Sequence, residues 1–276
     1  MPSRDCAGGC GRCLAKECYS KNQWLKGIGV SRCTACVHGG GQSSSSCVDA
    51  SQTARRNNAH SAIFDTYELD NPFASGAFRW VAKGRYTEGA RAGEQCVCKW
   101  FKTGGVIESH FYDTDIAASN EAVRLISKWN ANSLVDRMVK VNLPEVWTFT
   151  PTSGSKWAGK KVLQEPFIMN YAKFNSNSGW ADDSLPWPRV MQALSHFTYH
   201  ISNGQCVLCD LQGGVYHDGV VLTDPVIMSN SQSYGPTDLG SRGISTFFFH
   251  QVCNEYCRRE WRRPKNQAQH YAKTAG

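Results

Sequence analysis

Apolar residues come in short runs through the first half of the chain and at helical spacings through the second. Ala77, Phe78, Trp80, Val81 and Ala82 make one β-type run, and Cys96, Val97, Cys98, Trp100 and Phe101 make another. Residues 83–93 between them are rich in Gly and charge, which predicts a hairpin with a long connecting loop. Val123, Ile126 and Trp129 share one face of a helix predicted over 114–130. Residues 162–169 read as a strand broken at Pro166, which has no N–H for a ladder. Trp187, Val190, Leu194, Phe197 and Ile201 step by three and four, so 187–202 reads as an amphipathic helix. Residues 206–211 form a short buried strand, and 241–257 a last helix. Strands first and helices later give an α+β fold with two lobes.

The two ends follow other rules. Residues 1–38 are dense in Cys and poor in aliphatic side chains, and are too few to fold on an apolar core, so a bound metal is the natural staple. Residues 39–61 open with Gly39, Gly40, Gly41, Gln42 and four serines and read as a flexible linker. A globular domain is expected over 62–262 and a solvated basic tail over 263–276. The whole chain has 276 residues, 41% hydrophobic and 19% charged, which allows a sizeable core and argues against global disorder.

Thirteen cysteines is an odd number, and the first residues lead into no apolar signal segment. Reduced thiols or metal sites therefore fit better than a disulfide scaffold, and an intracellular location, cytoplasmic or nuclear, is expected. No run approaches the length of a membrane span. The net charge of +7 suits a phosphate-bearing ligand or an acidic partner without requiring one.

The P-loop, the zincin helix, the nucleophile elbow and the conventional protein-kinase motifs are all absent. What remains is a set of individually modest signals. Lys99 interrupts an apolar β run, either as an edge-strand lysine or as an ammonium placed to grip phosphate oxygens. Asp210, Gln212 and Asp224 follow buried strands and offer hard oxygen ligands for Mg²⁺, although Asp beside Gly or Pro is also ordinary turn chemistry. His196, His250, Cys253 and Cys257 can close a tetrahedral Zn²⁺ site if 253 and 257 share a helix face, or stand as free thiols and surface histidines. Residues 235–243, with Gly235 and Gly240, are Gly-rich before a helix, where backbone N–H groups can face an anion or simply turn tightly. Near the start, Cys10-x2-Cys13 and Cys33-x2-Cys36 have zinc-ribbon spacing, with Cys6 a spare candidate.

Taken in order, Ser195-His196-Phe197-Thr198-Tyr199, Cys209-Asp210-Leu211-Gln212-Gly213, Leu222-Thr223-Asp224-Pro225, the glycines of 235–243 and Cys253-Asn254-x2-Cys257 resemble the atypical α-kinases. The resemblance covers residues 65–262 and implies a protein-kinase-like fold and transfer of the γ-phosphoryl of Mg·ATP to a Ser or Thr hydroxyl of a protein substrate. It implies Lys99 as the nucleotide lysine, Glu165 in the adenine-holding hinge, Lys173 as a second lysine near the site, and the 83–93 loop over the triphosphate. It implies Asp210 as the catalytic aspartate, with Gln212 and Asp224 as Mg²⁺ ligands, Asp210 and Asp224 being interchangeable at this level. Gly235 and Gly240 would help place nucleotide or peptide. The family's structural zinc pattern is His-x-Cys-x3-Cys, whereas here Gln251 stands at the His position and His250 one place earlier. The first 38 residues are similar to small Stc1-like zinc modules, which favours Cys6 and Cys10 as the first ligand pair, with Cys33 and Cys36 as the second. Such modules dock proteins or nucleic acid. Two alternatives therefore stand beside the kinase: a pseudokinase-like zinc-module adaptor without turnover, and a nucleic-acid-associated protein led by the amino-terminal module.

Overall fold

A computed structural model of the chain describes residues 3–5, 13–26, 31–37, 50–102, 108–151 and 156–275. Cys6, Cys10 and the tetraserine run lie outside the described residues. In the amino-terminal segment, Ser3–Asp5 pairs antiparallel with Cys13–Ala15. Leu14, Cys18, Tyr19 and Cys33 bury together, with Trp24 packed against them.

The predicted hairpin is present but longer. We number elements from the globular domain: β1 is Ala59–Ile63, β2 is Arg79–Gly89 and β3 is Gln95–Phe101. Strand β2 runs seven residues beyond the predicted end, so the 83–93 stretch is mostly ladder and the loop shrinks to 90–94. The reason is alternation: Ala82 and Tyr86 are buried, and Gly84 admits the Phe64 ring where a Cβ would clash at 2.5 Å. Lys83, Arg85 and Thr87 take the other face, which in sequence mimics a polar loop.

The linker is also shorter than expected. Residues 50–61 are built into the domain: Ala54–Arg55 pairs parallel with Val141–Asn142, and β1 pairs with β2. Buried Asn57 ties this segment down, accepting from Tyr86 Oη and donating to Gln164 O at 3.2 Å. The strand order of the first lobe is completed by β6, Lys161–Pro166, against β3, with β5, Glu145–Thr148, outside it. Residues 162–169 thus hold one strand that stops at Pro166, as expected.

Helix α1, Glu108–Ala131, starts six residues earlier than predicted. It packs on the second lobe, whose sheet contains β4 (Met138–Asn142), β8 (Gln212–Tyr216) and β9 (Gly219–Thr223). Helix α2, Pro186–Ile201, opens with Pro at its first turn and buries its predicted stripe. Trp129 of α1 is fully buried, with Phe197 of α2 at 5.5 Å and Trp261 at 6.4 Å between ring centres. A two-stranded ladder of β7 (Cys206–Cys209) and β10 (Val226–Ser229) lies under α2 and α3 (Gly240–His250).

Helix α3 ends at His250, seven residues before the predicted end. Gln251 turns extended, and Asn254 caps a turn by accepting from Tyr256 N at 3.1 Å. Cys253 and Cys257 therefore sit on a loop rather than on one helix face. The basic tail is likewise not free in solvent. Ala268 N and O bond Ser245 Oγ, His270 N bonds Thr246 Oγ1, and Thr274 bonds Ser178.

Gly213 shows how tightly the strand after Asp210 is fitted. A Cβ there would lie 1.9 Å from Val221 O. Gly213→Ala is expected to cost at least ~3 kcal/mol, read as a lower denaturant midpoint at unchanged slope.

Candidate active site

The site forms where β3, β6 and the ends of β7 and β9 converge. Lys99 points inward from β3 and is 5% exposed. Its ammonium donates to Glu165 Oε1 at 2.8 Å, Asp224 Oδ2 at 2.6 Å and Thr223 Oγ1 at 3.0 Å. All three N–H bonds are thus used, and the edge-strand reading of Lys99 is excluded. Burial opposes its charge, but Asp224 and then Glu165 outweigh that and hold its pKa above the ordinary lysine value.

Glu165 sits in β6 opposite Val97, with its carboxylate turned to Lys99. Its second oxygen accepts from Thr223 Oγ1 at 2.5 Å and from Asn142 Nδ2 at 3.4 Å. The side chain is therefore committed to the lysine, and any hinge contact here is left to backbone.

Asp210 and Asp224 each follow a strand, and both have left-handed backbone, φ 55° and 48°. Non-glycine residues adopt this region sparingly, and such strain concentrates at functional positions. Asp210 Oδ1 pairs with Lys173 Nζ at 2.9 Å. Asp224 pairs with Lys99 and, at 3.4 Å, with Arg79. The two carboxyls are pushed in opposite directions. Burial raises the pKa of Asp210 despite Lys173, while for Asp224 the Lys99 and Arg79 cations overcome burial and lower it. Gln212 lies across the β8–β9 ladder from Thr223 and across from Lys173 on its other side, which puts this residue between the two aspartate turns.

Three residues of this network went unread in the sequence. Arg79 bridges Asp224 to Asp115 of α1. Asn175 accepts from Leu211 N at 2.9 Å and donates to Ser195 Oγ at 2.9 Å, which fixes the Asp210 turn to α2. Arg79 carried the same signal as Lys99, a cation inside an apolar β run. Asp115 and Asn175 carried none.

Burial pushes the Asp115 carboxyl up to about 6, against the opposing pull of Arg79. A raised carboxyl binds its proton more tightly in the folded chain, so its contribution is present below the ordinary carboxylate range and is lost as pH rises through about 6. Two units correspond to about 3 kcal/mol. Urea unfolding is expected to show Asp115→Asn gaining stability relative to wild type between pH 4 and 7.

The 235–243 segment is organised around buried Asp238, which accepts from Ser229 N, Ser229 Oγ and Gly240 N at 2.8, 2.7 and 3.0 Å. Gly235 and Gly240 both have positive φ. Gly235 lies against Thr114, next to Asp115, at the margin of the carboxylate network, and Gly240 lies against Gln232. Neither touches the Lys99 cluster, so the geometry gives them a loop-shaping part.

Away from this cleft, His196, Cys253 and Cys257 place their ligand atoms within 4.8 Å of one another. His250 does not join them: its Nε2 is buried without a partner, and its Cβ faces Gly179. The four-ligand expectation is corrected to three among the described residues, because α3 ends at His250 and the chain turns before Cys253. Of the amino-terminal candidates, Cys33 is buried, while Cys13 and Cys36 are described in backbone only.

The domain is thus a two-lobed α+β fold with a buried lysine held by two carboxylates and a second aspartate nearby on a left-handed turn. The chain matches the alpha-kinase family over residues 74–257, and it belongs to that family. It is 38% identical over 97 residues to alpha-protein kinase vwkA of Dictyostelium discoideum, covering 34% of this chain and 15% of that protein. It is 39% identical over 89 residues to human eukaryotic elongation factor 2 kinase, covering 32% and 11% respectively. The chain thus spans no more than 15% of the length of these relatives. Its fold matches the inactive alpha-kinase domain of myosin-II heavy chain kinase A complexed with ATP, with TM-score 0.60 and 22% identity, over 71% of this chain and 87% of that one. The AMP-PNP complex of the same domain matches equally, with TM-score 0.60, 23% identity and coverage of 71% and 86%. Among the described residues no helix is long and apolar enough to cross a membrane.

Proposed function

We propose that the chain is an ATP-dependent protein kinase of the alpha type, moving the γ-phosphoryl of Mg·ATP to a Ser or Thr hydroxyl of a protein. The observation that carries this is the complete charge set around Lys99: a desolvated ammonium shared by Glu165 and Asp224, with Asp210 on the neighbouring turn. Phosphoryl transfer asks mainly for positioning and charge neutralisation, and this set offers both. Solved alpha-kinase domains of this fold hold ATP, in an inactive form, or AMP-PNP, which supports the nucleotide reading.

In this reading Lys99 exchanges its bond to Asp224 for phosphate oxygens when nucleotide binds, and keeps the one to Glu165. Asp210, made more basic by burial, accepts the proton of the substrate hydroxyl, and Lys173 orients it. Asp224 stays ionised and, with the Gln212 amide oxygen, offers hard ligands that fit Mg²⁺. That ion, when bound, neutralises phosphate charge. Glu165 and the backbone after Pro166 shape the adenine end. Gly235 and Gly240 shape the loop that borders Thr114 and Asp115.

His196, Cys253 and Cys257 hold a Zn²⁺ that braces the second lobe, a donor set of one imidazole and two thiolates that suits this ion. Cys10, Cys33 and Cys36, with Cys6 or Cys13, hold a second zinc in a docking module for a protein or nucleic-acid partner. The setting is intracellular, cytoplasmic or nuclear.

The test is phosphotransfer from labelled Mg·ATP to the chain itself and to a generic basic protein. Incorporation on Ser or Thr supports the kinase. Tight nucleotide binding with no incorporation by folded protein overturns it in favour of the pseudokinase adaptor.

A further inference from the structure

The second-lobe His/Cys group differs from a closed four-ligand site in one place. His196 is buried, and its Nε2 lies 3.0 Å from Arg262 O. A proton on Nε2 leaves the Nδ1 lone pair, 3.5 Å from Cys253 Sγ, facing the thiols. The residue standing where the family pattern has its second histidine is Gln251. It is 2% exposed, and its Oε1 accepts from Arg263 Nη1. Arg263 is itself fixed, donating through Nη2 to Phe248 O at 3.0 Å and Gln251 O at 2.8 Å, with its guanidinium 5.1 Å from the centre of the Phe248 ring. The same Nη1 reaches Cys253 Sγ at 3.2 Å. The Gln251 amide is therefore held by a cation rather than presented as a ligand, and Cys253 is exposed to solvent.

We propose that this centre has three protein ligands, His196, Cys253 and Cys257, and one exchangeable position that takes water or a small monodentate donor such as imidazole or a thiolate. The inference rests on the zinc reading given above. Two thiolates and a neutral imidazole balance the charge of Zn²⁺ but fill only three of its four tetrahedral positions. Arg263 cannot ligate, being a cation with no lone pair to give. Its N–H bond to Cys253 instead draws electron density from that sulfur and fixes the loop, a role outer partners of metal sites commonly take. Protein zinc sites with three side-chain ligands keep the fourth for water or substrate, whereas sites that serve only to brace a fold are closed. In this chain the brace and an exogenous-ligand site coincide.

The experiment uses the full chain loaded with Co²⁺, whose visible bands report coordination. A Cys253→Ser/Cys257→Ser chain, loaded in the same way, supplies the background of the amino-terminal cysteines, so that the difference spectrum belongs to this centre alone. Imidazole is then titrated. A saturable shift of the cobalt bands in the difference spectrum is expected. In Gln251→His the shift is expected to disappear, and chelator-driven zinc release to slow about tenfold or more, within the range by which such partners change metal affinity. A difference spectrum showing bound cobalt that imidazole leaves unchanged in wild type overturns the open position while leaving the zinc site standing. No difference between wild type and the double serine chain, with both folded, overturns the zinc reading itself and this inference with it. The wild-type titration decides the matter even where Gln251→His does not fold.

Discussion

Lys99→Met is expected to lower phosphotransfer by about 10²–10³ and to destabilise the domain as well, and the two effects can be separated. The lysine is buried with all three of its N–H bonds spent on Glu165, Asp224 and Thr223. Removing it leaves the buried Glu165 carboxylate without a cation, beside an Asp224 that keeps only Arg79. Breaking a buried pair on one side costs about 3–5 kcal/mol, mostly because the orphaned charge stays behind. An inactive Lys99→Met protein alone therefore says little about catalysis. The informative chain is Lys99→Met with Glu165→Gln, which removes the orphaned charge and keeps the Thr223 and Asn142 contacts available. Thermal unfolding is expected to recover most of the lost stability in that double variant. Phosphotransfer is expected to stay low, because no ammonium remains to meet the nucleotide. Recovery of activity along with stability would make Lys99 a structural residue and remove it from the proposed mechanism.

Much of this site was legible because burial contradicts residue type. A lysine in an apolar β run needs a partner, but the sequence did not say which: Glu165 was read as a hinge residue and Asp224 as a Mg²⁺ ligand. The strand-turn positions of Asp210 and Asp224 were also legible, since Cys209-Asp210 and Thr223-Asp224 end apolar runs. Geometry added the sense of each contact. Glu165 was placed in the hinge, yet a period of two turns its side chain to the same face as Lys99. The boundary errors share one cause. Strand β2 hid its continuation because the face it shares with Lys99 runs on as Lys83, Arg85 and Thr87, and a half-exposed strand reads like a loop when only charge is counted. Helix α3 hid its end because Gln251 and Asn254 bond local backbone through their side chains, and Gln251 also meets the distant Arg263 side chain, which propensity does not register. Asp115 and Asn175 reach the site through tertiary contacts across 36 or more residues, to Asp224 through Arg79 and to Leu211 directly. No spacing rule reports such a contact.

The second large effect separates the two aspartates, which sequence left interchangeable. Asp210→Asn is expected to lower kcat by about 10³–10⁴ while nucleotide affinity changes little, since its carboxylate meets Lys173 and not the Lys99 cluster. Asp224→Asn is expected to weaken Mg·ATP binding and raise the Mg²⁺ concentration needed for activity, since its charge both supplies a hard ligand and holds Lys99 and Arg79. Wild-type phosphotransfer measured against pH tests the assignment independently. A general base must be ionised, so the acid limb of kcat reports its pKa in the complex. Burial raises that of Asp210 above the ordinary carboxylate value, and Lys173 opposes the rise. Lys173→Ala removes the opposing charge, so the acid limb is expected to move to still higher pH, with nucleotide affinity nearly unchanged. Mutating Lys173 moves no proton on Asp224 by direct contact, because that carboxylate is paired with Lys99 and Arg79. An acid limb that stays put in Lys173→Ala but shifts upward in Arg79→Ala would transfer the base role to Asp224. The opposite pattern, a shift with Lys173→Ala alone, fixes Asp210 as the residue that takes the substrate proton.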